Sequence, residues 1–232
     1  MSIEAVARAI AFTEDNLHEP LNVGAMADVA HYSLYHFCRV FSRHTGLSPY
    51  TYLVRRRLTL ASEQVIASDQ RIVRIAHEFG FDSHEGFSRA FARLFSITPI
   101  QARDRGWVAG PPRLPALTVE HLRCLERHQG LVPTFAPPSR GPGADVVPVP
   151  VQLTWPAEVP PAEPPTVDTD HDTATFELAG PDDQALVVDW LVHVWLMVAG
   201  YELVAPVLLI DRAGTRVTAG VTRPLRRADS VR

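Results

Sequence analysis

Residues 31–49, HYSLYHFCRVFSRHTGLSP, recur fifty positions later. Ser33, Phe37, Arg39, Phe41, Arg43 and Pro49 are answered by Ser83, Phe87, Arg89, Phe91, Arg93 and Pro99. Six identities at one offset are hard to attribute to shared composition, and they require the fold to contain one supersecondary unit twice. At about 100° per residue, Phe87 and Phe91 share one side of a helix with Leu94 and Phe95 near them, while Glu85, Arg89 and Arg93 share the other. Ser83 is placed to cap that helix and Gly80 to end the one before it. Upstream of the turn the offset becomes 49, pairing Ala27 with Ala76, because the turn GFDS is one residue longer than HYS. Each unit is thus expected to form a short helix (22–30 and 72–79), a tight turn and a longer helix (34–44 and 84–95).

Between the units, PYTYLVRRRLTLASEQVIAS (49–68) sets helix formers behind a proline, with apolar positions at Tyr52, Leu53, Leu60, Ala61 and Val65. A helix of that length spans roughly 30 Å. Two helices reading one face of duplex DNA must lie about 34 Å apart, one turn of the double helix. The repeat therefore suggests a basic front presented twice at the period of the major groove. Taken singly, either segment also suits an ordinary surface helix with a solvated charged face.

Composition limits the alternatives. The 232 residues are 46% hydrophobic, enough to bury a core in each of two modest domains. Every basic residue is arginine, the better bidentate donor to phosphate and guanine. Net charge is uninformative: residues 1–108 hold 12 Arg against 11 Asp and Glu, a net +1, and the remainder holds 10 against 15, a net −5. Any claim of nucleic-acid binding must rest on where the arginines sit. Cys38 and Cys124 have no spacing suited to a disulfide framework or a zinc site, and MSIEAVARAI lacks a signal-peptide layout, so a reducing cytoplasm is the expected compartment. The longest apolar run, 186–200, is interrupted by Asp189 and His193 and falls short of the ~20 residues of a spanning helix, so no membrane association is expected.

The segment from Ile3 to Arg105 resembles the AraC/XylS-type DNA-binding domain of bacterial regulators. The clearest stretch is IAHEFGFDSHEGFSRAFARLFSITPIQAR (75–103), with Gly-Phe, Ser, Phe-x-Arg-x-Phe and Thr-Pro at the family's spacing. The resemblance implies an all-α N-terminal domain (1–108) of seven helices with two helix-turn-helix units. It places the base- and phosphate-contacting positions at Tyr35, Cys38 and Arg39 in the first unit, and at His84, Glu85, Ser88 and Arg89 in the second. Chemically, Arg39 and Arg89 suit bidentate contact with guanine, and Arg43 and Arg93, one turn on, suit phosphate. His36 lies beside the basic face, either on a phosphate or merely exposed. Two departures from the family pattern stand out: His31 occupies a position usually held by glycine, and Cys38 a position usually polar. The second unit is therefore expected to carry more of the sequence specificity.

AGPPRLP marks a break, read as a linker at 109–116, followed by a smaller α+β C-terminal domain at 117–228 that contains a proline-rich segment at 133–165. That segment reads as a semi-rigid linker or a disordered stretch, although the alternation in VPVPVQLTW also suits an edge strand. TATFELA reads as a strand, 181–203 as a helix ending near Gly200, and 205–225 as two strands joined at Asp211–Gly214. This order, with Trp195, Ala-Gly-Tyr-Glu at 199–202 and TRPL at 222–225, resembles the second repeat of a GyrI-like effector-binding domain. The match is degenerate, because the carboxylate with which such domains meet cationic ligands would fall near Val207–Leu209, where only apolar residues stand. Trp190, Trp195 and Tyr201 can line an aromatic effector pocket or serve as core.

No catalytic constellation, cofactor motif or metal site is expected. Asp168, Asp170, His171 and Asp172 read as a solvated loop, and Cys124 with His121 and His128 as structural. The expected function is that of a non-enzymatic transcriptional regulator. Its expected partners are double-stranded DNA and, as further candidates, RNA polymerase and a small-molecule effector. The rival reading is a small-molecule binding or sequestering protein with a vestigial DNA-binding half.

Overall fold

A computed structural model describes residues 3–109, 113–128, 133–136, 146–150, 154–155 and 172–222. The chain divides into two compact units, Met1–Glu126 with Gln152–Pro160, and Arg127–Val151 with Pro161–Arg232.

The first unit contains α1 (Ile3–Asp15), α2 (Val23–Val29), α3 (Leu34–Thr45), α4 (Pro49–Ala67), α5 (Ile72–Glu78), α6 (His84–Phe95) and α7 (Pro99–Arg105). Their starts are written in local chemistry. Asn22, Ser33, Ser48, Ser83 and Thr98 each accept, through the side chain, a main-chain N–H of the helix they precede, and Pro49 and Pro99 follow as first helical residues.

The repeat extends to the backbone. His31 (φ 58°) and Gly80 (φ 68°) hold the left-handed conformation at matching points of the two turns, where Tyr32 N donates to Ala27 O at 3.0 Å and Phe81 N to Ala76 O at 2.9 Å. Gly46 (φ 75°) and Ser96 (φ 60°) do the same at the ends of α3 and α6. Each unit thus meets one of its two left-handed positions with glycine and the other with a residue that carries a steric cost.

Both units pack on α4. Phe37, Phe41 and Tyr52 form a ring series with centroids 5.5 and 5.7 Å apart, and Phe87, Phe91 and Phe95 form its counterpart at 5.6 and 4.7 Å. The second series closes over Leu58, Ala61, Val65, Ile72 and Ile75. Of the apolar positions expected on the spacer, Tyr52, Leu53, Ala61 and Val65 are buried and Leu60 is half-buried. What the sequence did not suggest is that Arg55, Arg56 and Arg57 are buried as well.

The packed unit runs on past residue 108. Arg113 pairs with Glu63, Leu114 N donates to Thr59 Oγ1 at 2.9 Å, Arg56 donates to Leu114 O, and Leu117 N donates to Tyr52 OH at 3.3 Å. Leu114 and Leu117 are buried, as are His121, Leu122, Cys124 and Leu125 of α8 (Val119–Arg127). The proline-rich composition after residue 108 ends the repeat, but its leucines and main-chain polar groups still find partners on α4. Two short strands, β1 (Val108–Ala109) and Thr154–Trp155, pair antiparallel in the same unit.

The second unit holds a five-stranded antiparallel sheet among the described residues. Its strands are β2 (Thr134–Ala136), β3 (Val146–Pro150) and, counting Thr154–Trp155 as β4, then β5 (Thr173–Glu177), β6 (Glu202–Asp211) and β7 (Arg216–Thr222), in the order β2-β5-β7-β6-β3. The proline-containing β3 sits at an edge, with Pro148 opposite Leu209 and Pro150 opposite Val207, the location that tolerates a missing N–H. The β6–β7 hairpin turns at the expected Asp211–Gly214, where Asp211 Oδ1 accepts from Thr215 N at 2.8 Å and Arg216 N at 3.0 Å. The helix between β5 and β6 is broken into a 3-10 turn (Pro181–Asp183), α9 (Gln184–Trp190), a π-helical turn (Leu191–Trp195) and α10 (Leu196–Ala199), which ends at left-handed Gly200. Of the Asp168–Asp172 run only Asp172 lies within the described residues, and Pro224–Leu225 lie outside them.

Because His31 and Ser96 hold positions that favour glycine, His31→Gly and Ser96→Gly are each expected to stabilise the protein by ~0.5–1 kcal/mol. Urea denaturation of the full chain checks this, and a lowered midpoint in either variant contradicts the assignment of strain.

Candidate nucleic-acid interface

The outer faces of α3 and α6 follow from what their inner faces bury. Phe37, Val40 and Phe41 are buried on α3, and Phe87, Phe91 and Phe95 on α6. With the phenylalanines committed to the core, Arg39 and Arg43 on α3, and Arg89 and Arg93 on α6, are exposed. None of these four makes an ion pair among the described residues. Tyr35 is 78% exposed. His36 is half-buried, its ring edge-on to Tyr32 with centroids 4.7 Å apart. Cys38 is half-buried beside Arg39. On α6, Glu85 is exposed, while His84 and Ser88 are half-buried neighbours, Ser88 Oγ lying 3.5 Å from His84 Nε2. Ser33 and Ser83 act as caps.

Four arginines elsewhere in this unit make a contrast. Arg56 donates from Nε and Nη2 to both oxygens of Glu14, at 2.7 to 3.1 Å. Burial alone would lower its pKa, and the Glu14 carboxylate outweighs that, so it is raised. Arg57 donates to three main-chain carbonyls, Leu17, Glu19 and Gly80. Arg103 caps carbonyls of Val65 and Gln70 at 3.0 and 2.6 Å. Burial pushes Arg55 down to about 10. Arginines that hold the fold are thus buried or half-buried, and those on the fronts of α3 and α6 are exposed and free to meet an anion.

A cleft of about 1060 Å³ is lined by Arg89 and Arg93 of α6, Tyr50 and Arg57 of α4, and His18 and Asp82. Tyr50, 64% exposed at the start of α4, was not singled out by the repeat, because Pro49 and not Tyr50 is the matched position. Its signal in the sequence is slight: an aromatic residue next to a helix-starting proline.

In the second unit, Trp190 is buried and Trp195 and Tyr201 are half-buried. The last two stack on each other, centroids 5.6 Å apart and planes 6° from parallel. Phe135 of β2 stacks on Tyr201 at 5.4 Å, and Phe176 of β5 meets Trp195 edge-on at 5.0 Å and Trp190 at 6.4 Å. Trp195 and Tyr201 are brought together, and Trp190 is linked to them through Phe176, one of two phenylalanines the sequence did not single out. Among the described residues the Trp190 indole N–H, though buried, has no hydrogen-bond partner.

The family described as "Helix-turn-helix domain" matches residues 26–105. The chain is 33% identical over 96 residues to the uncharacterized HTH-type transcriptional regulator YbfP of Bacillus subtilis, a match spanning 41% of this chain and 32% of that protein. It is 31% identical over 90 residues to the multiple antibiotic resistance protein MarA of Escherichia coli, covering 39% of this chain and 71% of MarA. Among solved structures, the DNA-binding domain of the global transcriptional factor AdpA, determined in complex with a target DNA, is 28% identical, with a TM-score of 0.42 over 44% of this chain and 91% of that one.

The two classes of arginine predict two classes of stability effect. Arg39→Ala, Arg43→Ala, Arg89→Ala and Arg93→Ala are each expected to change unfolding free energy by less than ~0.5 kcal/mol. Arg56→Met, which strands the Glu14 carboxylate, is expected to cost ~2–4 kcal/mol. Chemical denaturation of the five variants checks both, and a large loss for any of the four surface substitutions contradicts the division.

Proposed function

We propose a mode of action for a chain that belongs to the AraC family of helix-turn-helix DNA-binding transcriptional regulators: one molecule reads two successive major-groove segments of duplex DNA, with α3 in one and α6 in the other. The observation that carries this reading is the pair of exposed arginines at matched offsets on each helix, unpaired within the described residues. The 19 residues of α4 give a spacer of roughly 28 Å between the units, close to one turn of DNA.

Arg39 and Arg89 contact guanine bidentately, and Arg43 and Arg93 hold phosphates and fix the register. Tyr35, exposed at the start of α3, and His36 add contacts to base edges or backbone. His84 and Ser88 do so on α6, and Glu85 accepts from a cytosine amino group or discourages phosphate. With Cys38 a poor reader, the second unit supplies more of the sequence preference. The C-terminal part of the chain, a GyrI-like module in outline, modulates this activity through an effector at its aromatic cluster or through contact with RNA polymerase. No described helix is long and apolar enough to cross a membrane, and the reading places the protein with the DNA in the cytoplasm.

Titration of full-length protein on its selected duplex, with complexes weighed by native mass spectrometry, tests the proposal. One chain per duplex is expected. Arg43→Ala and Arg93→Ala should each reduce the slope of log affinity against log salt by ~1. Arg89→Ala should relax base preference more than Arg39→Ala, each by ~1–3 kcal/mol at its contacted position. Two chains on the minimal duplex would refute the single-molecule reading.

A further inference from the structure

Arg57 sits mid-way along α4 and is 6% exposed. A buried cation costs several kcal/mol unless its charge is met, so its partners are informative. No carboxylate pairs with it among the described residues. Its guanidinium is shared instead among three main-chain carbonyls from two separate parts of the unit. Nε donates to Leu17 O at 2.9 Å and Nη2 to Glu19 O, both in the segment leaving α1. Nη1 donates to Gly80 O at 3.3 Å, in the turn of the second helix-turn-helix.

Those carbonyls lie at the entrance to the first helix-turn-helix unit and within the turn of the second. Glu19 lies three residues before Asn22, the cap of α2, and Gly80 lies three residues before Ser83, the cap of α6. One planar, rigid group therefore grips the segment leading into α2 and the segment leading into α6 from the helix that separates the two units. The contact with Gly80 is tight: a Cβ there would fall 2.7 Å from Arg57 Cζ, so the turn rests directly against the guanidinium. An apolar side chain at 57 would fill the space but could not hold these two segments at a set angle, and a lysine ammonium has no planar fork with which to do it.

We propose that Arg57 is a positioning residue that sets the spacing at which α3 and α6 engage DNA. This rests on the two-helix reading above. Inserting one base pair between the two recognised blocks shifts the second by roughly 3.4 Å and rotates it by about 35°. A unit locked through Arg57 resists that change, and a unit released from it follows the DNA.

The test uses the full chain as wild type, Arg57→Met and Arg57→Lys, on the selected duplex and on duplexes with one base pair inserted or removed between the blocks. The quantity read is the ratio of Kd on altered and native spacing for each protein. A lower folded fraction affects both duplexes equally and cancels from the ratio, so a merely structural role leaves it unmoved. Wild type is expected to lose at least ~10-fold on altered spacing, Arg57→Met no more than ~3-fold, and Arg57→Lys an intermediate amount, with penalties for base changes inside the blocks unchanged. A wild-type ratio in Arg57→Met overturns the proposal. If that variant does not fold, Arg57→Lys decides: a ratio equal to wild type overturns it and a reduced one supports it. A wild type indifferent to spacing removes the two-helix reading, and this inference with it.

Discussion

The arrangement of the first unit depends on burying cations in the middle of α4. Arg56 meets Glu14 of α1 with charge-assisted hydrogen bonds to both carboxylate oxygens, and Tyr52 OH donates to the same carboxylate at 2.7 Å. Arg57 ties the exit of α1 to the turn before α6. Buried charges are tolerated only when such partners are complete, because a stranded one costs more than the pair contributes. The partners found by Arg56 and Arg57 give these contacts their specificity, because arrangements that strand either guanidinium are disfavoured. Through them the spacer becomes the element to which α1, the second turn and the segment after residue 113 all answer, and the two phenylalanine series pack against a helix already held in place.

The helical half was legible to a large degree. Six repeated identities located both turns and both outer helices to within a residue or two, since capping serines, phenylalanine spacing and helix-starting prolines act locally. The unusual turn residue His31 carried its own warning and does hold the left-handed conformation. Ser96, its counterpart in strain, gave none, because serine at a helix end reads equally well as an ordinary polar terminus. The run Arg55–Arg57 was opaque for a different reason. Three adjacent arginines on a helix spread over most of its circumference, so the pattern alone suggests solvent. The burial of Arg56 depends on Glu14 and that of Arg57 on carbonyls at 17, 19 and 80, contacts made by residues far away in the chain.

The C-terminal half was less legible because its order comes from strand pairing across long separations. The hairpin at Asp211–Gly214 was local and visible, whereas β3 acquires its place only by pairing with β6 some sixty residues later. The aromatic cluster shows the same division. Trp195 and Tyr201 share a short stretch of sequence, but Phe135 reaches them from a strand embedded in the proline-rich region. The π-helical turn at Leu191–Trp195 has no signature in a run of apolar residues interrupted only by His193. As for charge, a net +1 over residues 1–108 does not show that Arg55, Arg56 and Arg57 are buried while Arg39, Arg43, Arg89 and Arg93 are exposed.

The most direct measurement is a selection of full-length protein against random-sequence duplex DNA. Two short conserved blocks about one helical turn apart, bound at least ~10³-fold more tightly than scrambled DNA, are the expected result. A single block, or binding that depends on salt but not on sequence, would contradict the assignment of α3 and α6 as paired readers.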